Sequence, residues 1–367
     1  MAFSSTRAMM GAAGGAGSII QSVQQVSITI SSSSSSNTAT LSPAVDTSNC
    51  MLIYGGLETG TTGGLAAHSG WGMRFALTNS TTITATRTDS PSYTVTGTVT
   101  VVEFISGVID SRQEFVANMV SASTTTDTIT SVNTSNTSIF QLGNQGSSGS
   151  ISNSGLFSAE TELATSTSVK TTRTSSSGNL DVGIQVIEWN SGYIDSIQRL
   201  DTSLTLSSGS ATTTISSVDL DRTFLGYGGW GVIGGSSPRD RWFRTRIQNA
   251  TTVQVQDAAG ISTAQADPLT QNVIEFTSGV VASIQRGSIS KLGSDGATKD
   301  ATITAVDTTK TFVNFMGFAG DDSSYTDTDE LPVRLFLQDS TTVRMSGATG
   351  GGASDSVQAY YEVIEFN

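Results

Sequence analysis

The chain has 367 residues, of which only 13% are charged, and a formal charge of −13 with one His and one Cys. That balance offers no basic footprint for phosphate and excludes DNA or RNA as a primary partner; the single Cys excludes a disulfide scaffold and disfavours zinc. No run approaches the roughly eighteen apolar residues of a membrane helix, so membrane insertion is not expected.

Residues 1–17, MAFSSTRAMMGAAGGAG, hold one Arg (Arg7), four Gly and no continuous apolar core. Such a segment makes a poor secretory signal and a poor helix. It is expected to be a flexible arm, made in the cytoplasm and kept.

Beyond the arm the sequence repeats four times, over 18–104, 105–190, 191–277 and 278–367. The clearest landmark closes each copy: Val101-Val102-Glu103-Phe104, Val186-Ile187-Glu188-Trp189, Val273-Ile274-Glu275-Phe276 and Val363-Ile364-Glu365-Phe366. Near each copy's start stand Ser22-Val23-Gln24, Ser111-Arg112-Gln113, Ser196-Ile197-Gln198 and Ser283-Ile284-Gln285. Val45-Asp46, Val132-Asn133, Val218-Asp219 and Val306-Asp307 then precede an apolar run, and NSTTIT, STSVKT, NATTVQ and DSTTVR follow later. Four landmarks kept in order through four copies establish an internal duplication.

Within a copy, alternating Thr, Val and Ile suit a pleated surface. In the third copy they predict strands near 193–199, 201–206, 211–217, 221–227, 242–248, 251–256 and 271–276. Val273 on one face and Ile274 and Phe276 on the other predict a central closing strand buried between layers. Short strands separated by Gly, Asn, Asp and Ser indicate an all-β fold. The expectation is four tandem β-sandwich modules, Ig-like or jelly-roll-like, joined as separate units by very short linkers. A four-bladed ring is a less natural alternative, because propeller blades usually run shorter.

Chemistry is sparse. His68 lies in a Gly-rich loop without a G-x-S-x-G elbow, so no catalytic set is expected. Cys50 reads as a half-buried, inert thiol. The repeated Glu103, Glu188, Glu275 and Glu365 read as structural, each pairing with a strand Arg or facing a neighbouring module. The dense acidic stretch includes Asp321, Asp322, Asp327 and Asp329, a weak candidate for a calcium site that lacks the helix–loop–helix spacing; no cofactor is expected. The loops that differ between copies are 56–72, 143–155, 228–241 and 317–332. They carry His68, Trp71, Trp230, Arg239, Asp240, Arg241, Trp242 (just past the third) and Tyr325, and variable loops on a common scaffold are where binding residues concentrate.

A tandem, acidic, Ser/Thr/Gly-rich β-repeat chain with V-x-E-F strand endings resembles the structural proteins of tailed-bacteriophage virions. The resemblance implies a non-enzymatic tail, fibre, collar or head-associated component that partners other virion proteins and copies of itself. It also implies an N-terminal arm, with Thr6, Arg7, Met9 and Met10, that orders on the particle, and distal loops that meet a host-surface glycan or protein. A secreted bacterial adhesin or filament subunit of tandem sandwiches is the rival reading.

Overall fold

The alternating Thr, Val and Ile form long strands. The computed structural model describes residues 18–59, 72–88, 93–146, 159–173, 176, 178–205, 209–230, 243–256, 266–321, 332–347 and 356–367. Each repeat contributes six strands to them. The first gives β1 (Ile20–Ile30), β2 (Ser36–Thr40), β3 (Cys50–Thr59), β4 (Arg74–Asn79), β5 (Thr82–Thr86) and β6 (Val95–Phe104). The second gives β7 (Ile109–Val120), β8 (Thr124–Thr128), β9 (Thr137–Gly146), β10 (Glu160–Thr165), β11 (Ser168–Thr172) and β12 (Asn179–Trp189). In the third are β13 (Ile194–Thr205), β14 (Ser210–Thr214), β15 (Thr223–Trp230), β16 (Arg244–Asn249), β17 (Thr252–Gln256) and β18 (Ala266–Phe276). The fourth holds β19 (Val281–Leu292), β20 (Thr298–Thr302), β21 (Thr311–Asp321), β22 (Val333–Asp339), β23 (Thr342–Gly347) and β24 (Ser356–Phe366). The two strands expected over 193–206 are one continuous strand, β13.

These strands make four six-stranded antiparallel sheets arranged as a four-bladed, propeller-like ring. Three strands of every sheet come from one repeat and three from the repeat before it. The orders are β7-β12-β9-β4-β5-β2, β13-β18-β15-β10-β11-β8 and β19-β24-β21-β16-β17-β14; the ring closes with β1-β6-β3-β22-β23-β20, which joins the first repeat to the fourth. The expectation of separate modules joined as beads is therefore corrected. A repeat alone would leave both of its three-stranded halves with an open edge, and open edges are satisfied here by the neighbouring repeat.

Each seam in this ring is crossed at one residue pair: Arg74 with Gly143, Glu160 with Gly229, Arg244 with Gly317, and Arg334 with Gly56. The four glycines have φ between 82° and 88°. A Cβ on any of them would stand 2.1–2.4 Å from a backbone oxygen or side-chain atom of the adjoining repeat. Glycine is required there both for the left-handed backbone and for the close approach.

The closing strand lies between two partners in every sheet, as its apolar residues on both faces imply. Val273 packs into a core built mainly by the third repeat with Met316 and Tyr360 of the fourth, whereas Ile274 and Phe276 face a core shared by all four repeats. At the centre of this hub Phe104, Trp189, Phe276 and Phe366 form a closed circuit of edge-to-face contacts. Successive centroids are 5.4, 5.4, 5.6 and 5.5 Å apart, at 83–89°. Ile19, Val108 and Val280 are buried at equivalent places just outside it, with Tyr193 partly buried.

The four sequence landmarks are parts of one hydrogen-bonded knot. Glu103 accepts from Asp46 N (2.7 Å) and Ser22 Oγ (2.8 Å), Glu275 from Asp219 N and Ser196 Oγ, and Glu365 from Asp307 N and Ser283 Oγ. Glu188 accepts from Asn133 N at 2.7 Å. Gln24, Gln113, Gln198 and Gln285 each accept a backbone N–H and donate to a backbone carbonyl in the segment before the turn, as a further strand would. Of the two expectations for the closing Glu, a strand Arg or a neighbouring module, the first is not met: among the described residues only Glu275 pairs with an Arg, at 2.8 Å, and that residue, Arg222, lies in a 3-10 turn. The carboxylates are instead occupied by backbone N–H groups of the turn, and hydrogen bonds to a charged acceptor are worth roughly 1.5–3 kcal/mol.

Neighbouring repeats are also clamped by buried polar side chains. Gln185 accepts from Leu52 N at 3.0 Å, Asn272 donates to Ile139 O at 2.8 Å, and Glu362 accepts from Leu225 N at 3.0 Å. The equivalent residue of the first repeat is Thr100, too short for such a bond. That seam is held instead by Gln25, which pairs with both backbone groups of Leu337, and by Arg334 with Glu58.

Candidate functional surface

The strand registers give the ring two unlike rims. β1 starts opposite Phe104 and ends opposite Val95, so the described N-terminal end lies at the hub rim. β24 ends there as well, with Asn367 N bonded to Val280 O. The apolar strands run the other way: β3 ends opposite Val95, β9 opposite Leu180, β15 opposite Leu269 and β21 opposite Ser356. All four variable loops therefore leave from the second rim.

His68, Trp71, Arg239, Asp240, Arg241, Trp242, Tyr325, Asp322, Asp327 and Asp329 lie outside the described residues, as do Thr6, Arg7, Met9 and Met10 of the arm. Trp230 and Asp321 are the last residues of β15 and β21, at the roots of the third and fourth loops. Among the described residues no group of three or more His, Cys, Asp or Glu is placed to hold a metal ion.

Cys50 is buried completely rather than half-buried. Its Sγ donates to Asp46 O at 3.1 Å, the place where Thr137 and Thr311 each donate a hydroxyl at 2.7 Å to Asn133 O and Asp307 O. Burial pushes the thiol up to about 12, so it carries little thiolate at neutral pH. Tyr54 and Tyr227, at equivalent places in β3 and β15, are both raised by burial.

The seam residues at the loop rim differ between repeats. Arg334 is paired with Glu58, Nε to Oε1 at 2.9 Å, and also donates to Ser27 Oγ and Thr98 Oγ1. Arg74 is lowered by burial, opposed by the charges of Asp181 and Glu114. Arg244 has no carboxylate partner among the described residues. Its guanidinium lies 5.0 Å from the ring centroid of Tyr360, and that of Arg246 lies 5.2 Å from the same ring. Tyr360 donates its hydroxyl to Gln256 Oε1, and Arg246 Nε donates to Gln254 Oε1 at 2.9 Å. Gln256, Arg244 and Arg246 are partly exposed, while Tyr360 is buried. Arg244 lies two residues beyond Trp242, the last candidate residue of the third loop. The alternate arginines were visible, but Tyr360 belongs to the next repeat and only the shared sheet brings it to them.

No family model matches the chain, and neither curated proteins nor solved structures contain a significant match.

Proposed function

We propose that this protein is a non-enzymatic structural component of a bacteriophage virion, attached by residues 1–17 and displaying its variable loops away from the particle. The observation that carries the reading is the polarity of the ring. Both described chain ends lie at the hub rim, and the four loops that differ most leave from the rim opposite. In this reading each repeat is a sandwich-like unit whose two three-stranded layers enter different blades. Supporting this, Ile28 and Leu52 of one layer and Phe75 and Ile83 of the other share one core in the first repeat. A rigid ring of this kind suits presentation, because loops are free to vary on a scaffold that the knots and the hub hold fixed.

The test is deletion of residues 2–17. The truncated chain is expected to unfold at the same temperature as the full chain and to be lost from phage particles. Normal incorporation of the truncated chain would overturn the reading.

A further inference from the structure

We propose that Arg244 and Arg246, stacked on Tyr360 at the root of the third variable loop, bind one oxyanion group of an acidic ligand: a carboxylate, sulfate or phosphate. The ring's internal symmetry carries the inference. At the equivalent place on another seam Arg334 is neutralised by Glu58, whose other oxygen accepts from Ser346 Oγ. Gly56 corresponds to Gly317 in register, and Glu58 therefore corresponds to Ala319. The carboxylate is missing on the seam that has a second arginine. Two guanidinium groups held at one aromatic ring repel each other, and an acidic chain with 31 Asp and Glu leaves them without a described acid.

The arrangement is also prepared for an anion. Gln256 fixes Tyr360, Gln254 fixes Arg246 through Nε, and the Tyr360 ring attracts both guanidinium groups by cation–π contact. The remaining N–H groups of Arg246 present a fork that matches an oxyanion with two bonds. Partial exposure lets an external ligand reach it. The inference stands apart from the virion reading, since it concerns one site in the ring whatever the ring is mounted on.

Isothermal titration of the full chain with sulfate, phosphate and galacturonate, at constant ionic strength in chloride, tests it. Saturable one-site binding of at least one of them is expected. Arg244→Gln/Arg246→Gln is expected to weaken it at least tenfold with the circular dichroism spectrum unchanged. Ala319→Glu is expected to abolish binding by restoring the internal carboxylate, and if that variant fails to fold the paired glutamine variant still decides. The order of affinities among the three anions tells a carboxylated ligand from a sulfated or phosphorylated one. Absence of saturable binding to all three, or unchanged affinity in a folded Arg244→Gln/Arg246→Gln chain, would overturn the proposal.

Discussion

Phe104 and Trp189, the closing residues of successive repeats, meet edge to face with centroids 5.4 Å apart and planes at 89°. Phe276 and Phe366 complete the same circuit, so each aromatic ring touches one from the repeat before and one from the repeat after. Such pairs add roughly 0.5–1.5 kcal/mol each beyond the area they bury. The hub thus couples all four repeats at one point.

Trp189 is fully buried and donates Nε1–H to Ser138 Oγ at 2.8 Å. Trp189→Ala is expected to destabilise the whole ring by about 3–5 kcal/mol. Trp189→Phe, which copies the other three repeats, should cost about 1–2 kcal/mol through the lost hydrogen bond. Urea unfolding followed by circular dichroism checks both values. Melting of the second repeat alone in the Ala variant would contradict a shared hub.

Gln185 bonds the backbone of Leu52 across a seam and is itself completely buried. Gln185→Leu leaves a buried N–H without its partner and is expected to cost about 1–3 kcal/mol. Amide exchange at Leu52 should accelerate selectively. Unchanged protection there would show that the clamp does not hold the seam.

At the hub rim Asp46 is held below its ordinary value chiefly by Ser48 Oγ–H, Asp307 chiefly by Thr309 Oγ–H, and Asp219 chiefly by Asp221 N–H. A carboxylate with a lowered folded pKa stabilises the fold above its unfolded value, near 3.9, and loses that contribution as pH falls through the folded pKa. Glu114 has the opposite sign, because burial raises it and its cost at neutral pH is relieved on protonation. Stability should therefore decline below about pH 4. The second repeat uses Asn133 in the same cap, with the same bond to Ser135 N. Asp46→Asn/Asp219→Asn/Asp307→Asn is expected to flatten the decline, measured as the urea midpoint from pH 5 to 2; an unchanged slope would place the acid sensitivity elsewhere.

Cys50→Thr should be neutral or stabilising by up to about 1 kcal/mol, since it recreates the hydroxyl-to-carbonyl bond of the other repeats. The native thiol should resist a disulfide reagent until the chain unfolds. Rapid labelling of the folded chain would contradict its burial.

The duplication was legible because its landmarks meet in space: Ser22 Oγ and the Asp46 N–H both donate to Glu103, which ties the side chains of Ser22 and Glu103 together. Val273 and Phe276 likewise announced a strand covered on both faces. The sharing of sheets was not legible. β3 joins β22 through one residue pair, and nothing local in either strand specifies its partner. The available hint was Gly56, Gly143, Gly229 and Gly317 in one register, required by the close approach of the next repeat. The same blindness hid Tyr360 from Arg244. Trp71 and Arg239 stand out in the sequence because their loops differ between the copies, and the registers explain why those loops share a rim.

Calorimetry on the full chain tests the closed ring most directly. A single cooperative unit is expected, with a van't Hoff enthalpy equal to the calorimetric one and roughly 250 kcal/mol at about 0.7 kcal/mol per residue. Removing residues 278–367 should then abolish the transition, because the seams on both sides of the missing repeat open. Several independent transitions of roughly 60 kcal/mol each, or a three-repeat chain that melts as before, would contradict the ring and restore separate modules.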